Sequence, residues 1–270
     1  MRKSDRATVV VFPFDLYGSS GTGRGAELLG DAVREMLADT EAEEVVTRPH
    51  AYAGRVDVEE HPFDTPAAVR DWRRIGREVI DRHLAAGKFC LWLGGNHLSV
   101  LPVFDALGAG DLVVQLDAHL DCYALHDTTE SLSHGNYLLH VEPPRPKVLV
   151  VGHRDLFLTA AEVKRTFAAA VPAEDIESAA EVIRRHVSKA KRVWLDLDAD
   201  VFDPAFAPGV GEPLPFGLNP REVLSLAFAA WGDKLVGVSV SEFLPARDRD
   251  DRTLELLGWL VERVLLKWAE

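Results

Sequence analysis

Apolar runs of four to six residues recur along the chain, and several of them end abruptly in ionisable or hydrogen-bonding residues. Val9 to Phe12 reads as a first strand, followed by a glycine-rich stretch, GSSGTGRG, and a helix around Ala26 to Leu37. Thr65 and Pro66 have the character of an N-cap and first helical residue, and the helix they open carries Val69, Trp72, Ile75, Val79 and Ile80 on one side before stopping near Gly87. Phe89 to Leu93 is the next strand. It runs into Gly94, Gly95, Asn96 and His97, and a further helical stretch follows.

Leu112 to Leu116 contains no ionisable group and reads as a buried strand, and Asp117, His119 and Asp121 follow it at once with a spacing of two. Val148 to Val151 ends in Gly152, His153, Arg154 and Asp155, ahead of a helix from about Thr159. Val193 to Leu197 passes into DADVFDP, Asn219 and Pro220 cap a helix that ends at Gly232, and Leu235 to Val240 is a last strand carrying Ser241 and Glu242. A long amphipathic helix closes the sequence.

Strands alternating with helices of this length require crossover connections, which predicts an α/β fold: a three-layer αβα sandwich around a mostly parallel sheet. No internal repeat, low-complexity tract or linker interrupts residues 1–270, so the pattern predicts a single domain. Ligands of such sheets bind outside the carboxyl ends of the strands. His97, the Asp117 cluster, the acids at 196 to 200 and Glu242 all stand at such ends and are therefore expected on one edge.

Composition narrows the chemistry. With 47% hydrophobic residues the chain has ample material for a core, and a formal net charge of −13 argues against a nucleic-acid or anionic-membrane surface. The two cysteines, Cys90 and Cys122, allow at most one bridge, which suits a reducing cytoplasm. The basic N-terminus precedes an apolar run too short for a signal sequence, and no segment has the length of a membrane span. GSSGTGRG lacks the Gly-Lys-Ser/Thr ending and the dinucleotide glycine spacing, so it reads as a connecting or substrate-side loop.

Gathered on one edge, His97, Asp117, His119, Asp121, Asp198 and Asp200 form a set of four carboxylates and two imidazoles. Four such charges repel more strongly than one dication can offset, whereas two dications balance them. Mostly hard oxygen donors with a minority of imidazole suit Mn²⁺ better than Zn²⁺. Two ions roughly 3.5 Å apart would generate a hydroxide nucleophile near neutral pH. Each residue also has a plainer reading: Asp117 and His119 as caps or turn formers, Asp198 and Asp200 as a solvated acidic turn, His134 as a loop histidine. Their order and spacing taken together favour the metal reading.

GGNH, DAHLD, SHGN, DLDADVFDPAFAPGVGEP and SEFLPARD, spread from residue 94 to 248, resemble the ureohydrolase family: arginases, agmatinases, guanidinobutyrases and formimidoylglutamases. The resemblance implies an arginase-like fold and two Mn²⁺ ions, with Ni²⁺ or another divalent metal as substitutes. His97 and Asp121 would hold one ion and His119 and Asp200 the other, with Asp117 and Asp198 shared. It further implies that Asp121 positions a metal-bridging hydroxide and takes its proton, that His134 shuttles a proton, and that Glu242 grips a guanidinium group. The step of thirteen residues from Asp121 to His134 equals that of arginases. The implied reaction is hydrolysis of a guanidino C–N bond in a small cationic substrate, releasing urea. A formimino substrate releasing formamide, a one-zinc deacetylase of the same broad fold and a non-catalytic metal-binding relative are the alternatives. Family members are usually trimers or hexamers, so an oligomer is implied as well.

Departures from the family pattern carry information. Asn96 stands where the family usually has Asp, which predicts an altered hydrogen bond to a metal ligand. Asp196 stands where it usually has Ser, and leaves Asp196 with Asp198 as an alternative to the pair Asp198 and Asp200. Arginases hold the amino-acid end of arginine with small polar residues two, nine and eleven positions after the last aspartate of DAHLD; here these are Tyr123, Glu130 and Leu132, and Phe157 replaces an acid that reads the amino group. Arginine is therefore not the expected substrate. The remaining histidines, His126 and His153 among them, are expected at the surface or in packing, Cys122 in packing, and Trp194 in the core.

Overall fold

The structure, a computed structural model, describes residues 4–124 and 131–270. Eight strands form one sheet: β1 (Ala7–Phe12), β2 (Val56–Glu60), β3 (Phe89–Gly94), β4 (Leu112–Leu116), β5 (Lys147–His153), β6 (Ala169–Pro172), β7 (Val193–Asp198) and β8 (Leu235–Ser241). The helices are α1 (Thr22–Ala42), α2 (Pro66–Ala85), α3 (Leu101–Ala106), α4 (Ala160–Thr166), α5 (Ile176–Val187), α6 (Pro220–Ala229) and α7 (Arg252–Ala269). Every strand pairing is parallel, in the order β2-β1-β3-β8-β7-β4-β5-β6.

Period-two alternation splits the buried strand residues between two cores. Val9, Val11, Leu91, Leu93, Val114 and Leu116 share one core with residues of α1, α5, α6 and α7, while Val10, Phe12, Cys90, Trp92 and Val113 share the other with residues of α2 and α3. Helices thus cover both faces, giving the three-layer αβα sandwich, and the sheet is parallel throughout. The central strands β3, β8, β7 and β4 are buried almost throughout because neither of their faces meets water.

Three elements lie outside the periodicity noted in the sequence. Strand β2, VDVEE, is a half-buried edge whose acids are paired from outside, Asp57 with Arg6 and Lys88, Glu59 with Arg82 and His83, and Glu60 with Arg34. Charge on an edge strand also discourages pairing with another sheet. Strand β6 is the short opposite edge, and α5 leads from it into β7. The first helix begins earlier than its apolar periodicity suggests, at Thr22, so part of the glycine-rich stretch lies within it. A Cβ on Gly23 would meet the Pro13 carbonyl oxygen at 2.5 Å and one on Gly25 the Phe243 carbonyl oxygen at 2.0 Å, so both glycines serve close backbone approach.

The chain passes from β3 to β4 by stepping over the positions later filled by β7 and β8, so the four central strands come from distant parts of the sequence. In a parallel sheet such a step opens a crevice at the carboxyl ends of the strands.

Candidate metal centre

The crevice gathers candidate site residues from each of the four strands. His97 opens a 3₁₀ turn after β3, Asp117, His119 and Asp121 follow β4, Asp198 ends β7 with Asp200 in the turn beyond, and Glu242 follows β8. His97 Nδ1 lies 2.7 Å from Asp121 Oδ2, 3.1 Å from Asp198 Oδ2 and 3.3 Å from Asp117 Oδ2. His119 Nδ1 lies 3.0 Å from Asp200 Oδ2 and 3.8 Å from Asp117 Oδ1. The six side chains expected as ligands therefore converge. Five of them form two triads, His97 with Asp117 and Asp121 and His119 with Asp117 and Asp200, and Asp117 is common to both; Asp198 joins them through His97 Nδ1.

The backbone holds these acids in place. The His119 N–H donates to Asp117 Oδ1 at 2.6 Å, the Asp200 N–H to Asp198 Oδ1 at 2.8 Å and the Ala118 N–H to Asp200 Oδ1 at 3.2 Å. Gln115, on the apolar strand leading to the site, donates from Nε2 to Asp117 Oδ2 at 2.6 Å. Asp121 and Glu242 adopt left-handed backbone conformations, with φ of 42° and 65°. Such conformations are uncommon outside glycine and persist where surrounding contacts impose them.

Burial and the neighbouring Asp121 carboxylate raise Asp117 to about 7, and burial with Asp200 and Asp117 raises Asp198 well above the carboxylate range. Burial works against the charged form of His119, but Asp200 outweighs it and lifts the imidazole to about 11. These shifts arise because carboxylates and imidazoles are buried against one another. His97 Nδ1 is buried and shared among three carboxylate oxygens, none of which it meets with hydrogen-bond geometry. A nitrogen in that position, among hard oxygen donors, fits a divalent cation.

Arg154, which follows β5, anchors the turn carrying Asp200. Its Nη2 donates to the carbonyl oxygens of Asp200 at 2.7 Å, Leu214 at 3.0 Å and Phe202 at 3.2 Å, its Nη1 to Val201 at 3.2 Å, and its Nε to Pro215 at 3.0 Å. A lysine cannot reproduce this planar fork. Arg154→Lys is expected to lower the melting temperature by about 5–10 °C through unbonded carbonyls, and to weaken Mn²⁺ binding in titrations.

Beside these candidate ligands stands a second pair. His134 Nδ1 is 3.1 Å from Glu242 Oε1, which also accepts from the His97 backbone N–H at 2.8 Å. Burial disfavours charge on His134, yet Glu242 more than offsets this and raises it above the ordinary 6.5. The glycine-rich loop closes over the pair: a Cβ on Gly18 would lie 2.6 Å from His134 Cγ and 2.7 Å from Asn96 Nδ2. Gly18→Ala is expected to displace His134 and lower kcat on the order of 100-fold. Metal content and circular dichroism should stay unchanged.

Asn96 donates to the Leu16 carbonyl oxygen at 3.0 Å, so its amide ties this loop instead of bonding a metal ligand. Asp196 does not join the ligand set either. It lies beneath His97, on the Nε2 side at 2.9 Å, and Asp198 with Asp200 face the crevice. A cavity of about 210 Å³ opens over the centre, walled by Tyr123, Phe157, His134, Glu212 and Glu242. The Tyr123 hydroxyl donates to Asp155 Oδ2, and the Tyr123 and Phe157 rings meet edge to face at 5.9 Å. His153 lines the wider cleft beside it, Cys122 and Trp194 are buried, and Glu130 and His126 lie outside the described residues. Gln115, Tyr137, Glu212 and the environment of Asp196 escaped sequence reasoning, because no spacing rule links them to the ligands.

A family model described as the Arginase family matches residues 5–267. The chain belongs to the arginase family. Among arginase-family relatives, the N(1)-aminopropylagmatine ureohydrolase of Thermus thermophilus is 31% identical over 255 residues, spanning 89% of this chain and 83% of the relative. The agmatinase of Bacillus anthracis is 30% identical over 207 residues, spanning 72% and 68%. A solved structure described as a hypothetical agmatinase from Burkholderia thailandensis superposes with a TM-score of 0.78 at 24% identity, covering 99% of this chain and 87% of that one. The arginase of Bacillus subtilis also gives 0.78 at 24% identity, covering 96% and 98%. These two likenesses show the arginase-like fold. As an arginase-family protein, the chain is a hydrolase of the class that acts on C–N bonds of amidines.

Proposed function

We propose that this protein hydrolyses the guanidino C–N bond of a small, non-arginine substrate and releases urea. The observation that carries the reading is the pair of ligand triads joined through Asp117, with His97 Nδ1 shared among three carboxylate oxygens. His97, Asp117, Asp121, His119, Asp198 and Asp200 would hold two divalent cations, Mn²⁺ by donor type. Bound there, the cations neutralise the acids and supply a hydroxide nucleophile near neutral pH.

The chain's own groups do the rest. Asp121, at the cavity wall, accepts the proton of the attacking water. Glu242 accepts hydrogen bonds from the guanidinium and holds the planar carbon over the centre. His134, kept protonated by Glu242, donates its proton to the leaving amine. The glycine-rich loop shields the pair from bulk water.

The cavity lining, with Glu212 and Glu242 and no lysine or arginine among its described residues, favours a cationic ligand over one with an α-carboxylate. Tyr123 and Phe157 offer aromatic faces to an apolar tail. The named relatives act in the same chemistry, since agmatinase and N(1)-aminopropylagmatine ureohydrolase are the names they bear. A cytoplasmic homo-oligomer, trimer or hexamer, with no nucleic-acid or membrane partner completes the proposal. Both cysteines are free thiols, and no helix of the described residues is long and apolar enough to cross a membrane.

The test is a panel of guanidine, agmatine, guanidinobutyrate, guanidinopropionate, arginine and formiminoglutamate with Mn²⁺- and Ni²⁺-loaded protein. Urea from a non-arginine guanidino compound is the expected product. Formamide from formiminoglutamate, or no product together with fewer than one bound ion per chain, overturns the reading.

A further inference from the structure

The His97 ring is buried between two unlike environments. Its Nδ1 faces Asp117, Asp121 and Asp198, as described, whereas Nε2 is 2.9 Å from Asp196 Oδ2. Asp196 is fully buried and its other oxygen is engaged too: the Ser239 hydroxyl donates to Oδ1 at 2.5 Å and itself accepts from Trp194 Nε1 at 2.8 Å. Asp196 and Ser239 are register partners on β7 and β8, and Trp194 precedes Asp196 by two residues on the same face of the sheet. Ser239 and Trp194 are also fully buried. The carboxylate is therefore built into the middle of the sheet, one layer below the candidate metal ligands, by a relay that reaches His97. The Tyr137 hydroxyl, 3.2 Å from Nε2, is the other partner on that side among the described residues.

We propose that Asp196 is a positioning residue that fixes His97 with its proton on Nε2 and its lone pair on Nδ1, and thereby strengthens the ion site formed by His97 and Asp121. The inference rests on the two-metal reading above, and follows from where the second nitrogen of the ring points. An imidazole that ligates through Nδ1 must carry its hydrogen on Nε2, and an acceptor there selects that form and orients the ring. A carboxylate does more than a neutral acceptor, because its charge makes the imidazole a stronger donor to the cation. Asp196 cannot reach the ions itself, since the His97 ring stands between. The site built on His119 has no such carboxylate behind it among the interactions described, so the effect falls on one ion of the two.

The experiment is equilibrium Mn²⁺ titration of wild type, Asp196→Asn and Asp196→Ala, with metal stoichiometry by atomic absorption and thermal melts of the metal-free proteins. Asp196→Asn keeps an acceptor oxygen and removes the charge, and Asp196→Ala removes both. The expected result is about 10- to 100-fold weaker binding of one ion, larger for Ala than for Asn, with the other ion's affinity unchanged. The metal-free Asp196→Asn variant should melt close to wild type, because the amide fills the same space and still offers an oxygen to the Ser239 hydroxyl. Parallel loss of both affinities together with a lower melting temperature would show a merely structural role and overturns the proposal. So do unchanged affinities. If neither variant folds, Ser239→Ala, which frees Asp196 from its neighbouring strand, should weaken the same ion by a smaller factor, and no change there is equally adverse. Wild type that binds no ion sinks this proposal and the two-metal reading together; wild type that binds two, with unaltered variants, sinks this one alone.

Discussion

Asp117→Ala is expected to lose both ions and to reduce kcat on the order of 1,000-fold or more. Among the described residues Asp117 belongs to both triads, so its loss would open both sites at once and remove the several kcal/mol that bound cations would contribute to the transition state. Thermal melts offer a reading independent of turnover. Ligand at about 100 times its dissociation constant stabilises a folded protein by about 2.7 kcal/mol, so wild type should melt several degrees higher with Mn²⁺ and the variant should not respond.

The pH dependence of the metal-free wild type has a definite sign. Burial and Asp121 raise Asp117 from 3.8 to about 7, so the folded state binds a proton that the unfolded chain releases. The stability this confers is present at low pH and is lost as pH rises from 3.8 towards 7. Asp117→Ala should flatten that decline. A variant whose metal-free melting curve keeps the full slope would show that another acid holds the proton.

His134→Ala is expected to retain both ions while kcat falls about 100- to 10,000-fold, the range for removal of a general acid. His134 is not among the residues of either triad, so metal analysis separates its role from that of the ligands. Because Glu242 raises His134 above 6.5, the protonated donor persists through the ordinary histidine range and is lost only as pH climbs past the raised value. In wild type kcat should therefore decline on the alkaline side. Loss of that limb in His134→Asn, with unchanged metal content, is the signature sought. A variant that keeps wild-type kcat removes His134 from the chemistry.

Much of the site was legible because its ligands come in short local groups. DAHLD and DADVFDP each follow an apolar strand, and a parallel sheet turns that order into a shared edge. Helix starts were legible where side chains cap them, as with Thr65, which accepts from the Ala68 N–H, and Asn219, which accepts from the Glu222 N–H. The edges were not. In β2 the acids are satisfied by basic residues on other elements, and β6 is a short alanine-rich strand whose pairing only the tertiary structure reveals. The helix α5 has a readable apolar face, with Ala179 and Ile183 buried four residues apart, but only a short one beside the stronger patterns on either side of it.

Asp196 illustrates the other limit. In sequence it is one of three alternating acids, and period two places all three on one side of the strand. Depth along the strand decides which of them face the crevice and which lies beneath an imidazole, and depth is set by β3 and β8, far away in the chain.

The strand order has a kinetic consequence. β3 and β4 are near neighbours in the chain but flank β7 and β8, so neither triad is complete until the late strands have slid between the early ones. Closing such long loops is slow, and high contact order retards folding. A refolding chain should acquire native helix signal well before it can retain manganese, and stopped-flow metal capture should lag circular dichroism. In the opposite direction, stripping β8 away by local opening would dismantle the centre, so chelator-driven ion release under mild denaturant should track the opening of the sheet's middle and not the fraying of its edges.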